Sequence, residues 1–194
     1  MGSSTAAGVG ASKVAWASSL QATYAARSVR LINIARSWTV TYDGLPTASS
    51  TPAARPSPNP VDNVDAALAN SPKLLLVAYP TNDTANDYSV EETVNNLLAI
   101  RAAAQARGTA VIIVSTQPRR LPAAQLARLA LIDARLSSTV SPCFVAVREA
   151  LAGPDGTLAA RYDSGDHIHP NDAGHAVIHA GVVELIDSGR CVSL

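Results

Sequence analysis

Four short apolar runs rich in β-branched residues punctuate the chain: residues 29–35 (VRLINIA), 73–79 (KLLLVAY), 110–115 (AVIIVS) and 143–147 (CFVAV). Their hydrophobicity is largely continuous rather than alternating, which suits strands covered on both faces. Longer stretches with helical periodicity separate them. Such an alternation of strand and helix predicts an α/β fold with a central parallel sheet.

The helical stretches carry recognisable ends. Residues 11–26 predict a helix whose apolar face includes Val14, Leu20, Tyr24 and Trp16. Ser89 followed by Glu91 and Glu92 opens a second helix, which reaches Arg107 and stops at Gly108. A third spans residues 122–136, and a fourth begins near Asn171 and ends before Gly189. Residues 47–60 (TASSTPAARPSPNP) are too rich in Pro, Ser and Ala for a packed element and read as a surface loop.

A length of 194 residues, 47% hydrophobic and 15% charged, fits one domain with a full core, spanning residues 1–194. Lys+Arg and Asp+Glu balance at 15 each, so no charge excess points to nucleic acid or to an anionic membrane. No apolar run approaches the roughly 20 residues of a membrane span. The segment MGSSTAAGVG lacks the charged and apolar regions of a secretory signal.

Three segments fall at the expected carboxyl edge of the sheet, where open α/β sheets bind ligands. Gly2-Ser3-Ser4-Thr5 immediately precedes a helix; it suits an exposed nucleophilic hydroxyl, and equally a helix N-cap. Pro80-Thr81-Asn82-Asp83 follows the strand KLLLVAY, where an amide could donate to an oxyanion or simply close an Asx turn. Asp166 precedes His169 by three residues, a spacing that lets a carboxylate hold an imidazole in one tautomer. His167, His169 and Asp166 could instead be metal ligands. Alternate His side chains in an extended loop point opposite ways, however, and no second cluster completes a coordination sphere. His175 and His179 fall on the last helix and read as structural. A flavodoxin-like nucleotide binder is disfavoured, because no Gly-rich phosphate loop follows a strand.

Together, Gly-x-Ser-Thr, x-x-Asn-Asp and Asp-x-x-His resemble three conserved blocks of the SGNH, or GDSL-like, hydrolases, in the same order across essentially the whole chain. The resemblance implies a three-layer flavodoxin-like sandwich and hydrolysis of small-molecule esters without a cofactor or metal. It implies Ser4 as nucleophile, His169 as general base and Asp166 as its orienting partner. The oxyanion hole would comprise the Ser4 N–H, the Asn82 side chain and a third backbone donor. A catalytically impaired relative that binds carbohydrate or lipid is the alternative.

The chain departs from the family pattern in several places. Trp38 stands where a glycine is expected to supply that third N–H, so its indole is expected to narrow the pocket and its backbone to be strained. Pro80 replaces a glycine before Asn82, and Ser3 replaces an aspartate. The family's first strand comes just before Ser4, and Met1 leaves no room for it, so the first strand of the sheet is expected to be missing. Residues encoded upstream are accordingly expected to stabilise the protein.

Topology also bears on the two cysteines. Cys143 begins a strand, and the final helix returns Cys191 to the same far edge of the sheet, so the pair is expected to bridge, two unrelated thiols being the alternative. A bridge would favour a secreted or periplasmic protein.

Overall fold

The computed structural model describes residues 1–79 and 81–193. Its sheet has three parallel strands in the order β1 (Leu74–Val77), β2 (Ala110–Val114) and β3 (Phe144–Val145). Leu74 lies opposite Ala110, Val77 opposite Ile113, and Val114 opposite Val145. Eight α-helices accompany it among the described residues: α1 (Ser4–Ala7), α2 (Trp16–Tyr24), α3 (Val64–Leu68), α4 (Asn82–Ala85), α5 (Val90–Gln105), α6 (Ala123–Val140), α7 (Arg148–Leu151) and α8 (Asp172–Asp187).

The strands read as continuously apolar because successive side chains enter two different cores. Leu75, Val77, Val111 and Ile113 pack with Leu97 and Ile100 of α5 and Ile132 and Leu136 of α6. Ile112, Val114 and Val145 pack on the opposite face with Leu20 of α2 and Ile178 and Val182 of α8. The result is the expected three-layer α/β arrangement.

Helix α5 starts with a complete capping box. The Ser89 hydroxyl accepts from Glu92 N–H at 3.1 Å, and the Glu92 carboxylate accepts from Ser89 N–H at 2.8 Å. Helix α8 is capped by Asn171, whose side chain accepts from the N–H groups of Ala173 and Gly174. Residues 47–60 are irregular, as expected, and Arg55 ties them to Glu92 at 2.6 Å while stacking over the Tyr88 ring. The Cys143 and Cys191 sulfurs lie at disulfide distance, with Cα atoms 5.4 Å apart.

Two elements differ from expectation. Residues 11–26 form an α-helix only over Trp16–Tyr24, continued by a 3-10 turn over Ala25–Arg27, and Val14 is exposed rather than packed. The cause is tertiary: the Asp172 carboxylate accepts from the Ser12 N–H, the Ser12 hydroxyl and the Lys13 N–H, holding this stretch outside the helix. Residues 29–35 form no ladder. The Gln21 carboxamide clips them by donating to the Val29 carbonyl and accepting from the Leu31 N–H, two groups that a neighbouring strand would otherwise take.

Candidate active site

Ser4 lies at the start of α1, directly beyond a short parallel pairing of residues 1–3 with the end of β1. The Ala78 N–H donates to the Met1 carbonyl at 3.1 Å, and the Ser3 N–H donates to the Ala78 carbonyl at 3.2 Å. This pairing delivers Ser4 to the carboxyl edge of the sheet. Gly2 has φ 151°, and a Cβ there would run into the Ala78 carbonyl.

Asp166 and His169 reach the same point from the loop before α8. The Ser4 hydroxyl lies 2.9 Å from His169 Nε2, and His169 Nδ1 lies 2.6 Å from Asp166 Oδ2. The other carboxylate oxygen of Asp166 accepts from the backbone N–H groups of Ile168 and His169, both at 2.8 Å. One aspartate therefore shapes the loop and orients the ring it carries. Burial pushes the Asp166 carboxyl up, but the hydrogen bonds from His169 and Ile168 outweigh it and hold the group well below the usual carboxylate range. Gly10 supports this loop from beneath: its φ is 95°, and a Cβ would strike the Pro170 carbonyl and the Cβ of His169.

His167 does not join this cluster. Its Nδ1 pairs with Asp163 Oδ2 at 2.6 Å, so the two loop histidines are held by different carboxylates. Among the described residues, no group of three or more His, Cys, Asp or Glu side chains is arranged to hold a metal. His175 is buried between the Trp16 N–H and the Val9 carbonyl, a structural clip between α8 and the chain before α2. His179 bonds to the Thr23 hydroxyl at 2.9 Å.

Asn82, the first residue of α4, also stands beside Ser4. Its Nδ2 donates to the Ser3 hydroxyl at 2.9 Å and to the Thr39 carbonyl at 3.0 Å, so both amide hydrogens are engaged. Pro80, read from the sequence as a replacement for glycine, lies outside the described residues.

Residues 36–39 are tied to the same corner, since the Arg36 N–H and the Thr39 hydroxyl both donate to the Gly2 carbonyl. Between them, Trp38 has φ 71°, the conformation a glycine adopts without cost. Its indole does not narrow the pocket, contrary to expectation: Trp38 is 88% exposed and projects into solvent. The backbone N–H groups of Ser4 and Trp38 have no hydrogen-bond partner among the described residues.

Arg119 escaped the sequence reading. Its Nη1 lies 3.4 Å from Asn82 Oδ1 and 3.5 Å from the Thr81 hydroxyl, while its Nε is buried without a partner among the described residues. Burial lowers its pKa, opposed by the charge of Asp166. The available signal was its place just past β2, at the edge where Asn82 also lies. Ser3, which stands in place of an aspartate, accepts from the Asn82 amide through its hydroxyl.

A family model for the GDSL-like lipase/acylhydrolase family matches residues 1–177. No curated protein matches the chain. Among solved structures, a GDSL-like lipase from Bacteroides thetaiotaomicron superposes with a TM-score of 0.69 at 19% identity, covering 97% of this chain and 86% of the other. A member of the lipolytic G-D-S-L family from Veillonella parvula gives 0.72 at 14% identity, with 96% and 95% covered. An acetylxylan esterase from Geobacillus stearothermophilus gives 0.63 at 13%, with 89% and 80% covered. At these identities the likeness is one of fold.

Proposed function

Since the chain belongs to the GDSL-like lipase/acylhydrolase family, we propose that it is a serine hydrolase cleaving small carboxylic esters through an acyl-enzyme. The observation carrying this reading is the continuous line from Ser4 Oγ to His169 Nε2 and from His169 Nδ1 to Asp166. In the proposed reaction, Ser4 Oγ attacks the ester carbonyl carbon while its proton passes to His169 Nε2. Asp166 keeps the Nδ1 proton in place and stabilises the resulting imidazolium. The tetrahedral oxyanion accepts from the free N–H groups of Ser4 and Trp38, and from Asn82 once it releases the Ser3 hydroxyl. Collapse expels the alcohol, which takes the proton from His169. Water, activated by the same ring, then hydrolyses the acyl-serine. None of these steps calls for a cofactor or metal.

The engaged Asn82 amide and the solvent-facing Trp38 favour a second reading, a catalytically impaired member that binds carbohydrate or lipid. Labelling with a fluorophosphonate separates the two. The hydrolase should lose labelling, together with p-nitrophenyl acetate hydrolysis, on Ser4→Ala. Absence of labelling in folded protein supports the binding reading. The cysteine pair at disulfide distance supports a secreted or periplasmic site of action.

A further inference from the structure

Arg119 stands on the loop between β2 and α6, at the carboxyl edge of the sheet where Ser4 also lies. This loop is fastened to the one that carries Asp166 and His169. The Arg120 N–H donates to the His167 carbonyl at 2.9 Å, and the Gln117 amide donates to the Ile168 carbonyl at 3.4 Å. On its other side Arg119 meets the start of α4, where Nη1 lies 3.4 Å from Asn82 Oδ1 and 3.5 Å from the Thr81 hydroxyl. The guanidinium therefore stands between the segment that supplies the base and the segment that supplies Asn82. It touches one end of the Asn82 carboxamide, and the other end holds the Ser3 hydroxyl next to Ser4 in the chain.

The partners of Arg119 within the protein do not use up what it offers. A guanidinium carries five N–H donors and stays ionised. Here two long contacts to neutral oxygens are its hydrogen bonds among the described residues, and Nε is buried with no partner among them. No carboxylate of the described residues lies within ion-pair distance of it. Asp166 bears on its charge, but both oxygens of that carboxylate are already taken by His169 and the backbone of Ile168 and His169. Arg55 and Arg148 are also withdrawn from water, and each holds a carboxylate, Glu92 at 2.6 Å and Asp133 at 2.9 Å.

We propose that Arg119 is a specificity-determining residue, whose guanidinium takes a carboxylate borne by the ester within a few bonds of the reacting carbonyl. The proposal rests on the hydrolase reading and names a substrate class for it. That class comprises monoesters of small dicarboxylic acids and esters of small hydroxy acids, which bring the same anion from the acyl or the alcohol side. The distance is set by Asn82: its NH2 end serves the oxyanion in the proposed reaction, and Arg119 touches its carbonyl end. Two carboxylate oxygens match the planar fork of a guanidinium, and partial withdrawal from water strengthens the pairing. An uncharged substrate would instead cover the cation without pairing it.

The test uses two matched pairs of esters, followed by proton release at constant pH. Monomethyl succinate against dimethyl succinate carries the charge on the acyl side. 3-Carboxyphenyl acetate against its neutral methyl ester carries it on the alcohol side. In at least one pair, wild-type kcat/KM should favour the carboxylate by about fivefold or more, as a partly desolvated charge-assisted pair implies. That preference should shrink between about 0.02 and 0.5 M salt, since the site is open enough to be screened. Arg119→Met should erase it chiefly through KM, and Arg119→Lys, which keeps the charge without the fork, should retain part of it. Loss of the Asn82 contact in Arg119→Met is common to all four esters and cancels in the ratios. A smaller preference in both pairs, or one that survives Arg119→Met, would overturn the proposal. So would an equal loss of kcat for all four esters, which marks a residue that only positions Asn82. The wild-type ratios and their salt dependence decide even if Arg119→Met does not fold. If wild type hydrolyses none of the esters, the hydrolase reading fails separately and binding decides for Arg119. Ser4→Ala protein should then bind succinate at least about fivefold more tightly than Ser4→Ala with Arg119→Lys, by chemical-shift titration, and equal affinities would overturn the assignment.

Discussion

Replacing Asp166 with asparagine tests the proposed active site at the atom where its geometry makes the sharpest demand. Asp166 Oδ1 accepts two backbone hydrogen bonds at 2.8 Å, and Oδ2 accepts from His169 Nδ1 at 2.6 Å. An asparagine that keeps its carbonyl on the two backbone donors must turn its NH2 toward Nδ1. The ring then puts its lone pair on Nδ1 and its proton on Nε2, facing the Ser4 hydroxyl 2.9 Å away. In that tautomer Nε2 cannot take the serine proton. In a buried triad this costs about 10⁴ in kcat. Here the Asp166 side chain is 46% exposed, so water competes for Nδ1, and the expected loss is nearer 10³, or about 4 kcal/mol of transition-state stabilisation. Steady-state hydrolysis of p-nitrophenyl acetate should show this loss in kcat with KM little changed. Nitrogen-15 spectra of the imidazole should show the proton moving to Nε2. A folded variant with kcat within tenfold of wild type would refute the assigned role of Asp166.

Three further outcomes are expected. Trp38→Gly should relieve the left-handed strain and stabilise the protein by about 1 kcal/mol, leaving kcat within about threefold; a tenfold loss in kcat/KM would show that the indole contacts substrate. Exchanging Cys143 and Cys191 together for serine removes a cross-link spanning 48 residues, worth about 4 kcal/mol in the chain-entropy model, so thermal unfolding should move down by roughly 8–16 °C with activity retained. A drop under about 3 °C would mean that the bridge does not form in solution. Burial raises the Asp83 carboxyl to about 6 despite hydrogen bonds from Thr41 and Thr93. The folded value lies above the unfolded one, so its contribution is present below about pH 4 and lost as pH rises toward 7. Urea titrations should therefore show Asp83→Asn with a flatter stability profile than wild type between pH 4 and 7, and parallel profiles would contradict the assignment.

Much of the candidate site was legible before any fold was known, because its groups are close in sequence. Asp166 and His169 are three residues apart and hydrogen-bond within one loop, so the spacing alone implies their contact. Ser4 belongs with them only through the parallel topology, which the apolar runs announced and which carries three distant segments to one edge. The capping box of α5 and the Asn171 cap of α8 were readable for the same local reason.

What the sequence by itself determined is therefore whatever rests on short-range pattern: the layers, the strand–helix alternation, the main helix starts and the pairing of carboxylate with imidazole. The tertiary structure decided matters that depend on partners far along the chain. It sends the Trp38 indole into solvent while keeping its backbone left-handed, and it puts Arg119 against Asn82. It also leaves residues 29–35 extended but outside the sheet. β-propensity sets a preference for extension, but a strand exists only where a neighbour takes its N–H and C=O groups, and here Gln21 takes two of them instead.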